Sequence, residues 1–224
     1  MSKIKELSNV IILSDFDGTV TTFDTNIRLY EIYGNKEMIA KNREKYHRGE
    51  IDLRALYNEN FSGLGITKEE YLDYMLREIK LQKGFKTFYN NLKKNNIPFQ
   101  IVSGGFMTGI EPFLAKHNLE EITVHANRLI FNNRNIKVEH YEDKHFPHLI
   151  NKDDYVDFKL QVLRNYKKVY DKVIFLGDGT TDINVANSSD YLFAKDYLKE
   201  YCIENDIDYI DWEDFYDVNK WFRF

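Results

Sequence analysis

Two aspartates, Asp15 and Asp17, stand two residues apart, one serine after the aliphatic run Val10-Ile11-Ile12-Leu13 and just before Gly18-Thr19. Four aliphatics closed by a glycine turn predict a fully buried strand of a parallel sheet. Chemistry in such sheets gathers just beyond the carboxyl ends of the strands. Paired carboxylates there can bind a hard cation such as magnesium through oxygen. One of them can also attack phosphorus while the other moves protons. Taken alone, the segment also reads as a surface turn with an Asp cap.

Two more apolar runs end in polar clusters. Ile97–Val102 runs into Ser103-Gly104-Gly105, and Val173–Leu176 into Gly177-Asp178-Gly179-Thr180-Thr181-Asp182. Lys159 lies on a predicted helix, Asp154–Tyr166, where Val156, Leu160 and Leu163 recur at helical spacing. If the three strands are parallel neighbours, their clusters converge on one pocket. Acids, a hydroxyl, amide-baring glycines and a lysine are the parts that phosphoryl transfer uses for positioning and charge neutralisation. Singly, each has a plainer reading. Asp182 can cap a helix over Ile183-Asn184-Val185, Lys159 can be a solvated helix residue, and Ser103-Gly104-Gly105 can be a turn. His140, His145 and His148 have no helical ligand spacing, which argues against a zinc site.

These clusters need elements to hold them. Residues 24–84 carry four predicted helices, Asn26–Tyr33, Lys36–His47, Asp52–Phe61 and Lys68–Lys80, broken at glycines and without a strand pattern. Thr67 and Glu70 have capping-box spacing at the start of the fourth. After Gly84 strands and helices alternate. Helices are expected over Phe85–Asn95, Phe106–His117 and Tyr197–Glu204. A short strand is expected at Ile122–Ala126, then a hairpin of Leu129–Phe131 with Ile136–His140, and further strands at Tyr191–Ala194 and Asp208–Ile210. The pattern predicts an α/β fold, a Rossmann-like parallel sheet flanked by helices. The core would comprise 1–23 and 85–224, with 24–84 a small helical cap inserted after the first strand. The aromatic tail, Trp212, Phe215, Tyr216, Trp221, Phe222 and Phe224, reads as core and edge packing rather than a stacking platform.

Composition narrows the function. The 224 residues are 43% hydrophobic and carry a net charge of −5, enough for a buried core and without a basic footprint for nucleic acid. One cysteine, Cys202, excludes an internal disulfide framework and fits a reducing compartment. Apolar runs stop at four residues, far short of the ~20 of a membrane span. Met1 to Glu6 lacks the apolar stretch of a secretory signal. A soluble cytoplasmic protein is the expectation.

Asp15-Phe16-Asp17-Gly18-Thr19, Val102-Ser103-Gly104-Gly105, Lys159 and Gly177-Asp178-Gly179-Thr180-Thr181-Asp182 together resemble the four motifs of the haloacid dehalogenase-like phosphatase superfamily, in order and rough spacing. The helical insert resembles the small cap of its phosphoserine-phosphatase-like members. The resemblance implies Asp15 as nucleophile, forming an aspartyl-phosphate, and Asp17 as the acid and then the base. It implies Mg2+ held by Asp15, the Asp17 main-chain carbonyl and Asp178, with Asp182 binding directly or supporting from behind. Ser103 and the Gly104 amide would hold phosphoryl oxygens, and Lys159 would neutralise charge.

The implied function is magnesium-dependent hydrolysis of a small phosphorylated metabolite. Phe193-Ala194-Lys195-Asp196-Tyr197-Leu198, Asp214-Phe215-Tyr216-Asp217-Val218 and Asp24 resemble the methionine-salvage branch. Phosphoserine phosphatases usually carry Glu at the Asp24 place, and a later cap Arg where Asn60 aligns here, though Arg28 or Arg54 could substitute. A phosphoserine phosphatase or phosphotransferase on the same scaffold stays open. So do a catalytically silent phosphate-ligand or partner-binding module and, against the evidence of Asp17, a carbon–halogen hydrolase.

Overall fold

A computed structural model of the chain describes residues 9–147 and 157–224. The first six residues read for a signal, His148 and the predicted helical start Asp154 to Val156 lie outside the described residues. One sheet contains β1 (Val10–Ser14), β2 (Phe99–Phe106), β3 (Thr123–Asn132), β4 (Asn135–Glu139), β5 (Lys172–Gly177), β6 (Tyr191–Ala194) and β7 (Ile210–Asp211). Their spatial order is β4-β3-β2-β1-β5-β6-β7. Every neighbouring pair is parallel except the antiparallel β3–β4 hairpin.

The central strand is buried throughout and apolar up to Ser14 because helices cover both faces of the sheet. Side chains alternate across a strand. Val10 and Ile12 therefore join one core layer with Phe85 and Phe88 of α5 (Phe85–Lys94), Phe113 of α6 (Met107–Lys116), and Phe215 and Phe222 of α11 (Phe215–Phe222). Ile11 and Leu13 join the other, with Val162 and Leu163 of α8 (Phe158–Tyr166), Val185 of α9 (Ile183–Ala186), and Leu198 and Cys202 of α10 (Asp196–Glu204). Trp212, Phe215 and Phe222 of the aromatic tail pack as core, Phe215 lying 4.9 Å from Phe85 and 5.2 Å from Phe88, centroid to centroid, whereas Tyr216 and Phe224 are exposed.

Between β1 and α5 the chain forms α1 (Thr25–Tyr33), α2 (Lys36–His47), α3 (Leu53–Ser62) and α4 (Lys68–Arg77). Side chains of Asp24, Asn35, Asp52 and Thr67 cap their amino ends, the last as a reciprocal capping box with Glu70. Helix α4 ends before the predicted Lys80 because residues beyond it serve the return of the chain. The Lys80 carbonyl accepts from Thr22 N–H, Gln82 N–H donates to Val20, and Leu81 bridges Thr21. The two connections between the helical insert and the core therefore run side by side.

Two further differences have local causes. The predicted short strand and hairpin arm are one strand, β3, pairing with β2 along its first half and β4 along its second. The polar Asn127-Arg128 step reads as a break, yet buried Asn127 is satisfied: Nδ2 donates to the Gly104 carbonyl and Oδ1 accepts from Tyr141 N–H. Strand β2 continues through Ser103-Gly104-Gly105 instead of stopping at Val102, and its register with β3 slips between Ser103 and Phe106. Helix α7 (Tyr141–His145) is too short to leave an apolar period.

Candidate active site

Register fixes the site. Ser14 at the end of β1 pairs with Ile101 of β2 and Leu176 of β5, so the three polar clusters emerge together at one edge of the sheet. Lys159, on the first turn of α8, is only 1% exposed, and its ammonium joins them. Nζ lies 3.0 Å from Asp15 Oδ1 and 2.8 Å from Asp182 Oδ1, and donates to Thr181 Oγ1 at 3.0 Å. Burial acts against the Lys159 charge, but Asp15, Asp182 and Asp157 outweigh it and hold the ammonium protonated.

Each acid has a distinct environment. Asp15 Oδ1 accepts from Phe16 N–H at 2.7 Å and faces Lys159, while no hydrogen bond among the described residues ends on Oδ2. Both oxygens of Asp182 are engaged, Oδ1 with Lys159 and Oδ2 with the amides of Asp178 and Gly179 at 3.1 and 3.2 Å. Asp178 Oδ1 accepts from the Thr19 hydroxyl at 2.6 Å. The turn carrying Asp17 passes so close that a Cβ on Gly18, whose φ is +77°, would lie 2.2 Å from Asp178 Oδ2. Only glycine tolerates both conditions.

Asp17 faces the helical insert. Its Oδ1 accepts from Thr25 N–H at 3.3 Å and from the Thr25 hydroxyl, and Oδ2 accepts from Ser103 Oγ at 3.2 Å. Gly105 leaves room for that carboxylate, since a Cβ there would be 2.3 Å from Asp17 Oδ2. Ser103 Oγ in turn accepts from Gly105 N–H at 2.9 Å. All seven residues singled out in the sequence, Asp15, Asp17, Ser103, Gly104, Lys159, Asp178 and Asp182, thus gather at this edge. The Asp17 carboxylate is not part of the cluster that Asp15, Asp178 and Asp182 form.

Charge balance makes the site cation-seeking. Burial first, then Asp182, pushes Asp15 well above the usual carboxylate range, with Lys159 opposing. Burial and Asp182 raise Asp178 to about 7. Burial and Asp24 raise Asp17 to about 6, against the hydrogen bonds from Thr25 and Ser103. Oxygens of Asp15, Asp178 and Asp182 lie within 4.8 Å of one another. An all-oxygen, acid-rich donor set fits a hard cation such as Mg2+ and does not suit a soft one.

A cavity of about 830 Å3 opens between the first three helices and this edge. Buried Asn60 lines it and accepts from Asn42 Nδ2 at 2.9 Å. Arg28 lies outside that cavity and pairs with Glu31 at 2.9 Å. Arg54 borders the cavity, its guanidinium 2.6 Å from Asp143. His140 sits by Asn58 at 3.4 Å, and His145 stacks on Tyr141.

Three residues have no site role in the sequence reading. Arg43 and Tyr57 line the cavity. Lys195 is buried, stands 4.9 Å from the Trp212 ring centroid, and draws Asp178 down. Lys195 follows β6 directly, so the rule that chemistry sits at carboxyl strand ends would have found it. Arg43 and Tyr57 had no such signal.

Fold and site together define a class, and the match of residues 12–187 settles it: the chain belongs to the haloacid dehalogenase-like hydrolase family. It is similar to the 2-hydroxy-3-keto-5-methylthiopentenyl-1-phosphate phosphatase of Exiguobacterium sibiricum, with 29% identity over 211 residues covering 92% of this chain and 93% of that one. It is also similar to Pdp3-interacting factor 1 of Schizosaccharomyces pombe, 26% identical over 223 residues and 93% of each chain. A substrate-bound phosphoserine phosphatase shares the fold, with a TM-score of 0.68, 22% identity, and coverage of 96% of this chain and 98% of that one. No described helix is long and apolar enough to cross a membrane.

Proposed function

We propose that the chain is a magnesium-dependent phosphomonoester hydrolase acting through an aspartyl-phosphate on Asp15. The carrying observation is the division of labour between two buried carboxyls. Asp15 keeps Oδ2 free of hydrogen bonds among the described residues, beside a protonated lysine, and burial pushes Asp17 up to about 6. In the first half-reaction Asp15 Oδ2 forms a bond to phosphorus, the ester P–O bond breaks, and Asp17 gives its proton to the leaving oxygen. In the second, Asp17 takes a proton from water, whose oxygen attacks phosphorus and frees Asp15 and inorganic phosphate. One carboxyl serves both steps best when its pKa lies near the working pH. Ser103 and the Gly104 amide hold peripheral oxygens, and Lys159 balances the charge of Asp15.

Asp15, Asp178 and the Asp17 main-chain carbonyl would hold Mg2+, which when bound neutralises charge on the phosphoryl group. Asp182, with both oxygens occupied, would orient Lys159 and the Asp178 loop from behind. Residues 24–84 would form the substrate-selecting cap on a core of 1–23 and 85–224.

Phosphate release from an aryl phosphate tests this reading. It should require magnesium, vanish with excess chelator, and be suppressed by calcium, which prefers longer bonds and more ligands. Undiminished turnover in chelator would contradict the metal assignment. No release in magnesium would favour a silent binding module.

The relatives make a phosphorylated methylthio-ketone-type metabolite the favoured substrate class. Phosphoserine should do poorly. A buried carboxylate wants a charge-assisted, bidentate partner, which Arg supplies best. Asn60 offers a neutral amide, Arg54 is already paired with Asp143, and Arg28 lies off the cavity. Asp24 has one methylene less than Glu, and its Oδ1 caps α1. The expected deficit in kcat/KM against the best phosphomonoester lacking an amino-acid head is about 10- to 100-fold. Phosphoserine ranking first would point to Arg43 or Arg54 as the clamp.

A further inference from the structure

We propose that the Tyr57 hydroxyl contacts the substrate, donating a hydrogen bond to a peripheral phosphoryl oxygen from the helical insert. The proposal rests on the phosphatase reading and adds a residue to it. A count of donors leads there. A lysine ammonium has three protons, and those of Lys159 have three partners: Asp15, Asp182 and Thr181. The single hydroxyl proton of Ser103 goes to Asp17. Both side chains singled out for phosphate binding must therefore release a partner before they can donate to a phosphoryl oxygen. A phosphoryl group presents three such oxygens.

Tyr57 supplies a donor that is already aimed. It sits on α3, its ring edge-on to Phe106 at 5.9 Å. A Cβ built on Gly104 would lie 3.4 Å from Tyr57 Oη, which places the hydroxyl beside the glycine whose amide is proposed to hold a phosphoryl oxygen. The residue borders both the large cavity and a narrow slot of about 30 Å3 walled by Gly104, Lys159 and Thr181. No hydrogen bond among the described residues uses its hydroxyl. Burial, then the charge of Asp24, raises the phenol above its usual range against the opposing Lys159, with smaller contributions from Asp17 and Asp15, so it stays a neutral donor. A neutral donor suits a site already crowded with carboxylates, because it can approach a phosphoryl dianion without adding charge.

The test is Tyr57→Phe in the full chain, which keeps the ring and its Phe106 contact. Turnover of a small aryl phosphate should fall about 10- to 100-fold in kcat/KM, the loss expected for one hydrogen bond to a charged group. Orthovanadate, a mimic of the phosphoryl group in flight, should bind the variant more weakly by a similar factor. The Tm of the ligand-free variant should match wild type. Unchanged vanadate affinity would overturn the proposal, whether turnover is retained or falls together with Tm as a packing defect would make it. Wild-type protein that neither releases phosphate nor binds vanadate would overturn the phosphatase reading and this proposal with it.

Discussion

Asp15→Asn protein is expected to fold as wild type does and to release phosphate at least about 10⁴-fold more slowly, the scale on which removal of a catalytic nucleophile is felt. The substitution is nearly isosteric. The amide oxygen can take the Oδ1 place, accepting from Phe16 N–H and Lys159, so local hydrogen bonds survive. The amide nitrogen then stands where Oδ2 stood and has no lone pair suited to attack phosphorus. It also removes a negative charge that burial and the nearby Asp182 and Asp178 disfavour, so thermal stability should hold or rise. The checks are steady-state phosphate release and a thermal melt on the same preparation. A well-folded variant with near-normal hydrolysis would rule out Asp15 as nucleophile.

Lys159→Met should be the most damaging single change to stability in the site. The lysine is the cation shared by Asp15 and Asp182, all three of them at most 4% exposed. Removing one partner of a buried ion pair leaves the other charge uncompensated, at a cost of about 3–5 kcal/mol. Methionine fills much of the same volume, which isolates the charge from the packing. Urea unfolding in chelator at neutral pH reads the loss directly. Its pH dependence has a definite sign. Without Lys159 the Asp15 carboxyl, already raised by burial, loses the cation that opposes that rise, so the folded state binds more protons and stability falls as pH rises. The deficit should therefore shrink as pH drops below neutrality. A variant as stable as wild type across that range would show that the ion pairs contribute little.

Much of the site was legible in the chain because parallel buried strands are unbroken apolar runs that stop where chemistry begins. Val10–Ser14 and Lys172–Gly177 show this plainly, and their neighbours in the sheet follow from strand–helix alternation. Lys159 was legible only by its place before the last acidic cluster, since nothing in a helical lysine reveals that it will be buried. What stayed hidden depended on long-range contacts. Helical periodicity tells which side of α3 is apolar, but not that Tyr57 reaches across to Gly104. Nor does sequence show that Thr25 holds Asp17, a contact that ties α1 to the carboxyl proposed as acid and base. Strand β3 was split in the reading because Asn127 and Arg128 look like a turn, whereas Asn127 is paired on both sides of its amide.

The central claim is a covalent phosphoryl bond to one carboxylate oxygen, and it can be seen directly. Wild-type protein turning over a phosphomonoester with magnesium would be quenched in acid within the first turnovers, digested, and its peptides weighed. The expected result is a phosphate adduct on the peptide containing Asp15, absent without substrate and absent from Asp15→Asn. Rapid turnover with no adduct trapped at the shortest quench times, or an adduct carried by a peptide without Asp15, would contradict it.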